Sequence, residues 1–408
     1  MRAAFSTGAA GAAERVAPVR VSTASAAGPR IAIACSGLGH VRRGIEAWAA
    51  DTGAALRRAG ADVTLYGAAG DPPLRSVACL RRGSAAARGL VGVFSRLGGW
   101  RYGMGSAYEL EQTSFALALL PRIRRGCDIV HVQDPTMAAV LESAWRRGLS
   151  GARVILANGT DERPEVLARF SHLQLLTPDA AQAWAAHRPA GQAVFAVPNF
   201  VDTAAFAPGD RAAARAALDL PQNATILLCC AAIKRHHKRI DALLRAVAAL
   251  PDEPGREIVL VVAGGAEAET AEMQALGASL LGPRVRFLVD FPRAGMAELY
   301  RAADLFVLAS LHETFGIVLL EAMASGLAVV CHDTPGFRYV TGPAGSLGDL
   351  RTDAGFTVAL AGMLDPAARA PHAGVARAHV EKQFSEPVVA AQMRAMYRTV
   401  AEGSRGAH

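Results

Sequence analysis

Two glutamates eight residues apart, Glu313 and Glu321, bracket a stretch that reads as the start of a helix. Thr314 can cap a helix that opens at Phe315-Gly316-Ile317, and Ser325-Gly326 can stop it. Along a helix, eight residues span roughly 12 Å. The free N–H groups of the first turn lie between the two carboxylates, and such a helix start attracts a phosphate. A carboxylate, an anion site and a second carboxylate on one line suit a sugar, a diphosphate and a ribose. The same spacing also arises from two ordinary solvated helix charges. The context favours the chemical reading: apolar runs at 305–309 and 327–331 place a strand on either side.

A second chemical stretch is Lys234-Arg235-His236-His237-Lys238-Arg239. It follows an apolar strand that ends near Ala231. Four fixed positive charges at the carboxyl end of a strand can neutralise a diphosphate and stabilise it as it leaves; a solvated basic turn is the plain alternative. The adjacent histidines suggest a metal, but no carboxylate or cysteine partner has suitable spacing, so no metal is expected. A third stretch is the turn Ser36-Gly37-Leu38-Gly39-His40, between a strand and a helix from Val41 to Ala50. Gly37 and Gly39 let the backbone approach a ligand, and the helix start favours an anion; a plain tight turn fits equally. His40, Arg42 and Arg43 are candidates for phosphate or acceptor contact, or exposed helix residues.

These residues need strands and helices to hold them. Strands are expected at 30–35, 61–66, 129–133, 154–158, 173–177 and 194–198, then at 225–231, 258–263, 285–289, 305–309 and 327–331, with helices between them. Alternating strands and helices imply parallel sheets with right-handed crossovers, and ligands then bind at the carboxyl ends of the strands. Residues 108–120 read as a helix with Glu109 and Glu111 solvated. Residues 81–105 mix Arg with Leu, Val, Phe and Trp; their glycines argue against one long helix, leaving a loop on the acceptor side or a basic amphipathic surface for anionic lipid.

The stretch 304–336 resembles the Glu-x7-Glu motif of the family 4 retaining glycosyltransferases. Val197-Pro198-Asn199-Phe200-Val201-Asp202, followed by Phe206-Ala207-Pro208, resembles the family's Pro-Asn-Gly-Val-Asp segment, with Phe200 in place of Gly. Ile233–Asp241 resembles its basic diphosphate-binding segment. There Lys238 matches the family's Lys, while the Arg position falls on Ile233, so that Lys234 or Arg235 must substitute. The likeness runs over about residues 30–400 and is stronger in the second half. It implies the GT-B fold, two Rossmann-like domains facing a cleft: 30–200 for the acceptor, 201–383 for the nucleotide-sugar donor, and a helix at 384–408 returning to the first domain after Phe384, with Ser385 as cap and Pro387 in its first turn. It also implies same-face transfer of a hexose without an obligatory metal or other cofactor. Glu313 would hold sugar hydroxyls, and Phe315, Gly316 and Ile317 would offer backbone amides. Glu321 would hold the ribose, and Lys238 with Lys234 the diphosphate. The Gly37–Gly39 loop would face the donor phosphates or the acceptor. His131 resembles part of the family's His-x-His-Asp region, structural or acceptor-facing. Asn158 stands near the place of a family histidine by the sugar. A sugar-nucleotide epimerase of the same fold and a non-catalytic nucleotide-sugar-binding protein are the competing readings.

Composition agrees. A chain of 408 residues suggests two domains, because single cores stop growing near ~250–300 residues. The net charge of +7 favours anionic partners, nucleotides or phospholipid. No zinc finger, RNA-binding signature or basic zipper is visible, which disfavours nucleic acid. Six cysteines without metal-type spacing read as reduced cytosolic residues. Residues 1–29 lack the apolar core of a secretory signal and are expected to be a disordered leader. No run of 18 apolar residues reads as a membrane span, so the expected location is the cytoplasm, with peripheral contact at the inner face of the membrane open.

Overall fold

The computed structural model describes residues 28–41, 44–96, 98–99, 103–160 and 162–403. Most of the leader, and Arg42 and Arg43, lie outside the described residues. The strands are β1 (Ile31–Cys35), β2 (Val63–Gly67), β3 (Leu74–Ser76), β4 (Ile129–Val132), β5 (Arg153–Ala157), β6 (His172–Leu175), β7 (Ala193–Ala196), β8 (Thr225–Cys230), β9 (Ile258–Gly264), β10 (Val285–Val289), β11 (Leu305–Leu308), β12 (Ala328–His332) and β13 (Gly345–Gly348). They form two parallel sheets, in the orders β3-β2-β1-β4-β5-β6-β7 and β10-β9-β8-β11-β12-β13. In both, the order reverses beside the first strand: β1 pairs with β2 and β4, and β8 pairs with β9 and β11.

The two-residue period of the strands divides each domain's core in two. Ile226, Leu228 and Cys230 face one apolar cluster, while Leu227 and Cys229 face another across the sheet. Ala32 and Ala34 are likewise opposed to Ile31, Ile33 and Cys35. Helices cover both faces, so the strands read as unbroken apolar runs. That is why they were visible in the sequence.

The chain passes between the domains twice, side by side. Val201 N–H donates to the Phe384 carbonyl at 3.0 Å, and Glu386 N–H donates to Val201 at 3.2 Å. The last helix, Glu386–Glu402, then lies on the first domain, burying Val389, Ala390, Met393, Met396, Tyr397 and Val400 against Ile31, Ile33, Trp48 and Leu56. Ser385 stands at its N-cap position without a capping bond, donating instead to Glu381, and Pro387 is in the first turn.

Three expectations need correction. Residues 85–96 form a helix, not a loop: three alanines open it, and Ser84 Oγ accepts the Ala87 N–H at 3.1 Å, outweighing the roughly 1 kcal/mol that each interior glycine costs. The first helix of the first domain begins at Gly44, beyond His40, and runs to Arg58. The carboxylates of Glu109 and Glu111 are both engaged. Glu109 closes a capping box with Ser106, and Glu111 is buried.

Candidate active site

The loops that follow β8 and β11 meet where the strand order of the second sheet reverses. This is the place where open parallel sheets bind ligands. Lys238 Nζ lies 2.5 Å from Glu313 Oε1, with both side chains largely buried. His237 Nε2 lies 3.8 Å from Glu313 Oε2 and 3.0 Å from the His312 carbonyl. His237 and Arg239 both adopt left-handed backbone, with φ of 69° and 51°. For non-glycine residues this is uncommon, and such strain collects at functional sites.

The helix after β11 begins at Ile317, two residues later than the Thr314 cap implies. Gly316 stands at its N-cap with φ 84°, and a Cβ there would press on Leu319 and Phe337 at 3.2 and 3.4 Å. Thr314 does not cap it. Its Oγ1 donates to the Gly159 carbonyl of the first domain at 2.9 Å, so the donor-side loop touches the end of β5 directly. Phe315 is buried against Phe384, and Ile317 is partly exposed. The Leu319 N–H donates to the Gly316 carbonyl at 2.9 Å, and a helix start leaves the amides before it without an intrahelical acceptor. Glu321 is buried, and its Oε2 accepts from the Tyr300 hydroxyl at 2.7 Å. Burial pushes its carboxyl up, against the pull of Tyr300 and Arg293.

The remaining cations of the β8 loop turn elsewhere. Lys234 Nζ is 3.7 Å from Glu267. Arg235 pairs with Glu272 at 2.5 Å, and its N–H donates to Glu269. Arg239 donates to the carbonyls of Ala309 and Leu350. Ile233 is fully buried. Of the cations expected around a diphosphate, the structure therefore brings Lys238 to Glu313, and adds His237. Among the described residues, no three His, Cys, Asp or Glu gather in a metal-binding group, and no helix is long and apolar enough to cross a membrane.

On the first domain, Gly37 and Gly39 serve packing within the chain. A Cβ on Gly37 would fall 1.9 Å from Glu46 Oε1, and one on Gly39 would fall 1.6 Å from the Ala69 carbonyl, at φ 97°. The side on which a Cβ would project is thus filled by the chain itself at both glycines. His40 lies in the turn with Nε2 3.0 Å from Glu111 Oε2. Glu111 also receives the Arg82 N–H and guanidinium, each at 2.6 Å. Burial pushes Glu111 up, but these bonds outweigh it and hold the carboxyl below its ordinary value. Tyr108 donates to Asp134 Oδ1 at 2.7 Å, and the Arg82 guanidinium lies over its ring at 4.4 Å. Burial raises the Asp134 carboxyl. No local pattern announces this network, because its bonded pairs stand 26 to 71 residues apart.

His131 leaves the sugar or acceptor pocket altogether. It is fully buried between Trp48 and Tyr397, with Nδ1 2.7 Å from the Tyr397 hydroxyl, and burial pushes it down to about 3. Asn158 stands at the carboxyl end of β5, beside the Gly159–Thr314 contact, and its Oδ1 is buried without a hydrogen-bond partner.

Two parallel-sheet domains meeting in this way are the GT-B fold. Sucrose-phosphate synthase from Thermosynechococcus elongatus superposes with a TM-score of 0.75 at 20% identity, covering 92% of this chain and 100% of that one. HepE of Anabaena, solved with UDP and glucose, gives 0.71 at 17% identity, covering 91% and 100%. Residues 210–348 match the family described as Glycosyl transferases group 1. D-inositol 3-phosphate glycosyltransferase 1 of Catenulispora acidiphila is 34% identical over 56% of this chain and 57% of its own length. The enzyme of that name from Mycobacterium sp. strain KMS is 36% identical over 52% and 47%. The chain thus spans about half the length of the curated relatives it matches.

Proposed function

We propose that this protein is a retaining glycosyltransferase that moves a hexose from a nucleotide diphosphate sugar to an acceptor hydroxyl. The observation that carries this is the Lys238–Glu313 pair at the strand-order reversal of the second sheet. It sets a cation for the diphosphate beside a carboxylate for sugar hydroxyls, next to the helix start at Ile317. The bond from anomeric carbon to phosphate oxygen breaks, and the nucleoside diphosphate keeps the electron pair. The acceptor oxygen bonds the anomeric carbon on the same face, and its proton passes to the departing phosphate. The protein's part is to hold preorganised positive charge where negative charge grows: Lys238 and the amides of Gly316 and Ile317. Glu321, oriented by Tyr300, takes the ribose. No metal is needed in this scheme. Asn158 faces the transferred sugar. The HepE complex with UDP and glucose supports a nucleotide sugar as donor. The helix 85–96 exposes Arg88, Arg96 and Val93, which supports peripheral contact with an anionic membrane carrying the acceptor.

The test is a thermal-shift screen of UDP-, ADP-, GDP- and dTDP-sugars, followed by product analysis of whichever binds. A donor at a hundred times its Kd stabilises the fold by about 2.7 kcal/mol. Transfer to an acceptor, or slow release of free sugar, supports the proposal. Epimerised nucleotide sugar, or stabilisation by none of them, overturns it.

A further inference from the structure

Without a charge on His237, the pair Glu313 and Lys238 leaves a bound diphosphate undercompensated. Glu313 and Lys238 cancel each other at 2.5 Å. A nucleotide sugar brings two negative charges on its diphosphate. The helix start at Ile317 offers about half a positive charge. Lys234 and Arg235 are drawn to Glu267 and Glu272, and the position that aligns with the family's arginine is the buried Ile233. His237 alone among the loop's other basic side chains faces Glu313, and its side chain is 42% exposed.

We infer that His237 is a second phosphate-binding cation of the donor site, present only while its imidazole is protonated, so that pH sets donor affinity. This rests on the function proposed above. The backbone supports it. At φ 69° His237 sits in a conformation costly for an L-residue, and that conformation aims Nε2 at the His312 carbonyl and Glu313. His312, whose carbonyl His237 bonds, brings a second titratable imidazole on the β11 loop, and the charged groups that meet this turn include Glu313, Lys238 and Glu269. Glu313 reaches it from the β11 loop, and Lys238 shares that carboxylate from its own loop. Glu269, across the neighbouring helix start, accepts from the amides of Arg235 and His236. An imidazole with one proton bonds the His312 carbonyl and carries no charge. A second proton adds the missing positive charge and a donor for a phosphate oxygen. Imidazole is the side chain whose charge changes between about pH 5 and 8. Affinity is therefore full at acid pH and falls as pH rises.

The experiment is isothermal titration of the full chain with UDP-glucose, ADP-glucose, GDP-mannose and dTDP-glucose from about pH 5.5 to 8.5. Their diphosphate is a diester and does not titrate in this range. The expected result is a roughly tenfold loss of affinity for the bound sugar across the range, the worth of one charge-assisted hydrogen bond. H237N, whose side chain tolerates left-handed backbone, binds at the weaker level at every pH. H237R keeps the tighter level to the top of the range. If H237N does not fold, as judged by its melting, wild type against H237R carries the test. A wild-type affinity flat with pH, or a slope that survives in H237N, overturns the assignment and leaves the donor site standing. Binding of none of the four at any pH overturns the donor site itself.

Discussion

Replacing Tyr300 by Phe removes one oxygen and leaves the rest of the packing in place. The ring keeps its contacts with Phe206 and Phe306, both at 5.7 Å between centroids. What is lost is the 2.7 Å hydrogen bond to Glu321 Oε2 in a fully buried setting. A hydrogen bond to a charged group is worth roughly 1.5–3 kcal/mol, and an abandoned buried acceptor costs at least as much. For a domain of this size each kcal/mol moves the melting point by about 2–4 °C, so Tyr300→Phe should lower it by roughly 3–12 °C near neutrality. The loss should also depend on pH. Burial already holds the Glu321 carboxyl above its ordinary value, and Tyr300 pulls it down. Without the hydroxyl it rises further. A group raised in the fold binds its proton more readily there than in the unfolded chain, so it disfavours the fold above its native titration and ceases to do so once protonated. The deficit relative to wild type should therefore be largest near about pH 8 and shrink toward about pH 5. The thiol of Cys230, pushed well up by burial, stays protonated beside the same hydroxyl, and its loss of a partner adds a part without pH dependence. Melting followed by circular dichroism at both pH values decides the matter. Equal deficits at the two pH values, or none, would show that Tyr300 does not hold the Glu321 carboxylate.

Glu321→Ala should weaken nucleotide-sugar binding by roughly 1.5–3 kcal/mol if the carboxylate grips the ribose, and unchanged affinity in a folded variant would remove that role. Turnover should persist in excess chelator, because Lys238 and the helix start at Ile317 supply the positive charge; complete and reversible loss would reopen metal binding at the His236–His237 pair. Gly316→Ala should destabilise the helix start by roughly 1–2 kcal/mol, since φ 84° is strained for an L-residue; an unchanged melting curve would mean that the loop has another conformation open to it. Truncation after Gln383 should lower both solubility and turnover, because it uncovers the apolar face beneath Val389, Met393 and Tyr397; normal melting with normal kinetics would count against any part for the final helix.

The central strands of both cores were legible because they are apolar runs buried on two faces, and the edge strands β7 and β10 because they keep largely apolar runs though only partly buried. The two missed strands, β3 and β13, are edges: Leu-Arg-Ser and Gly-Ser-Leu-Gly carry no such run. The helix 85–96 was hidden by its glycines. The second-domain site was legible in its parts, because Glu313, Lys238 and the helix start are close to their strands in sequence. What could not be read was orientation. Arg235 and Lys238 look equivalent on paper, and only the turn at His237 and Arg239 sends one to Glu272 and the other to Glu313. On the first domain, the partners of Glu111 and His131 are 29 and 266 residues away, and no local pattern announces contacts of that separation.

The last helix also sets a timetable for biosynthesis. A ribosome releases the strands of the first sheet early, with Ile31, Ile33, Trp48 and Leu56 forming one side of an apolar cluster. The other side is Val389, Met393 and Tyr397, which emerge only after the whole second domain has been made. At about 5–20 residues per second, the interval is on the order of 10–40 s. During that time the second domain can complete its own cores, whereas the first remains an open sheet with an uncovered greasy strip. The core of the first domain is thus completed by the residues that are made last.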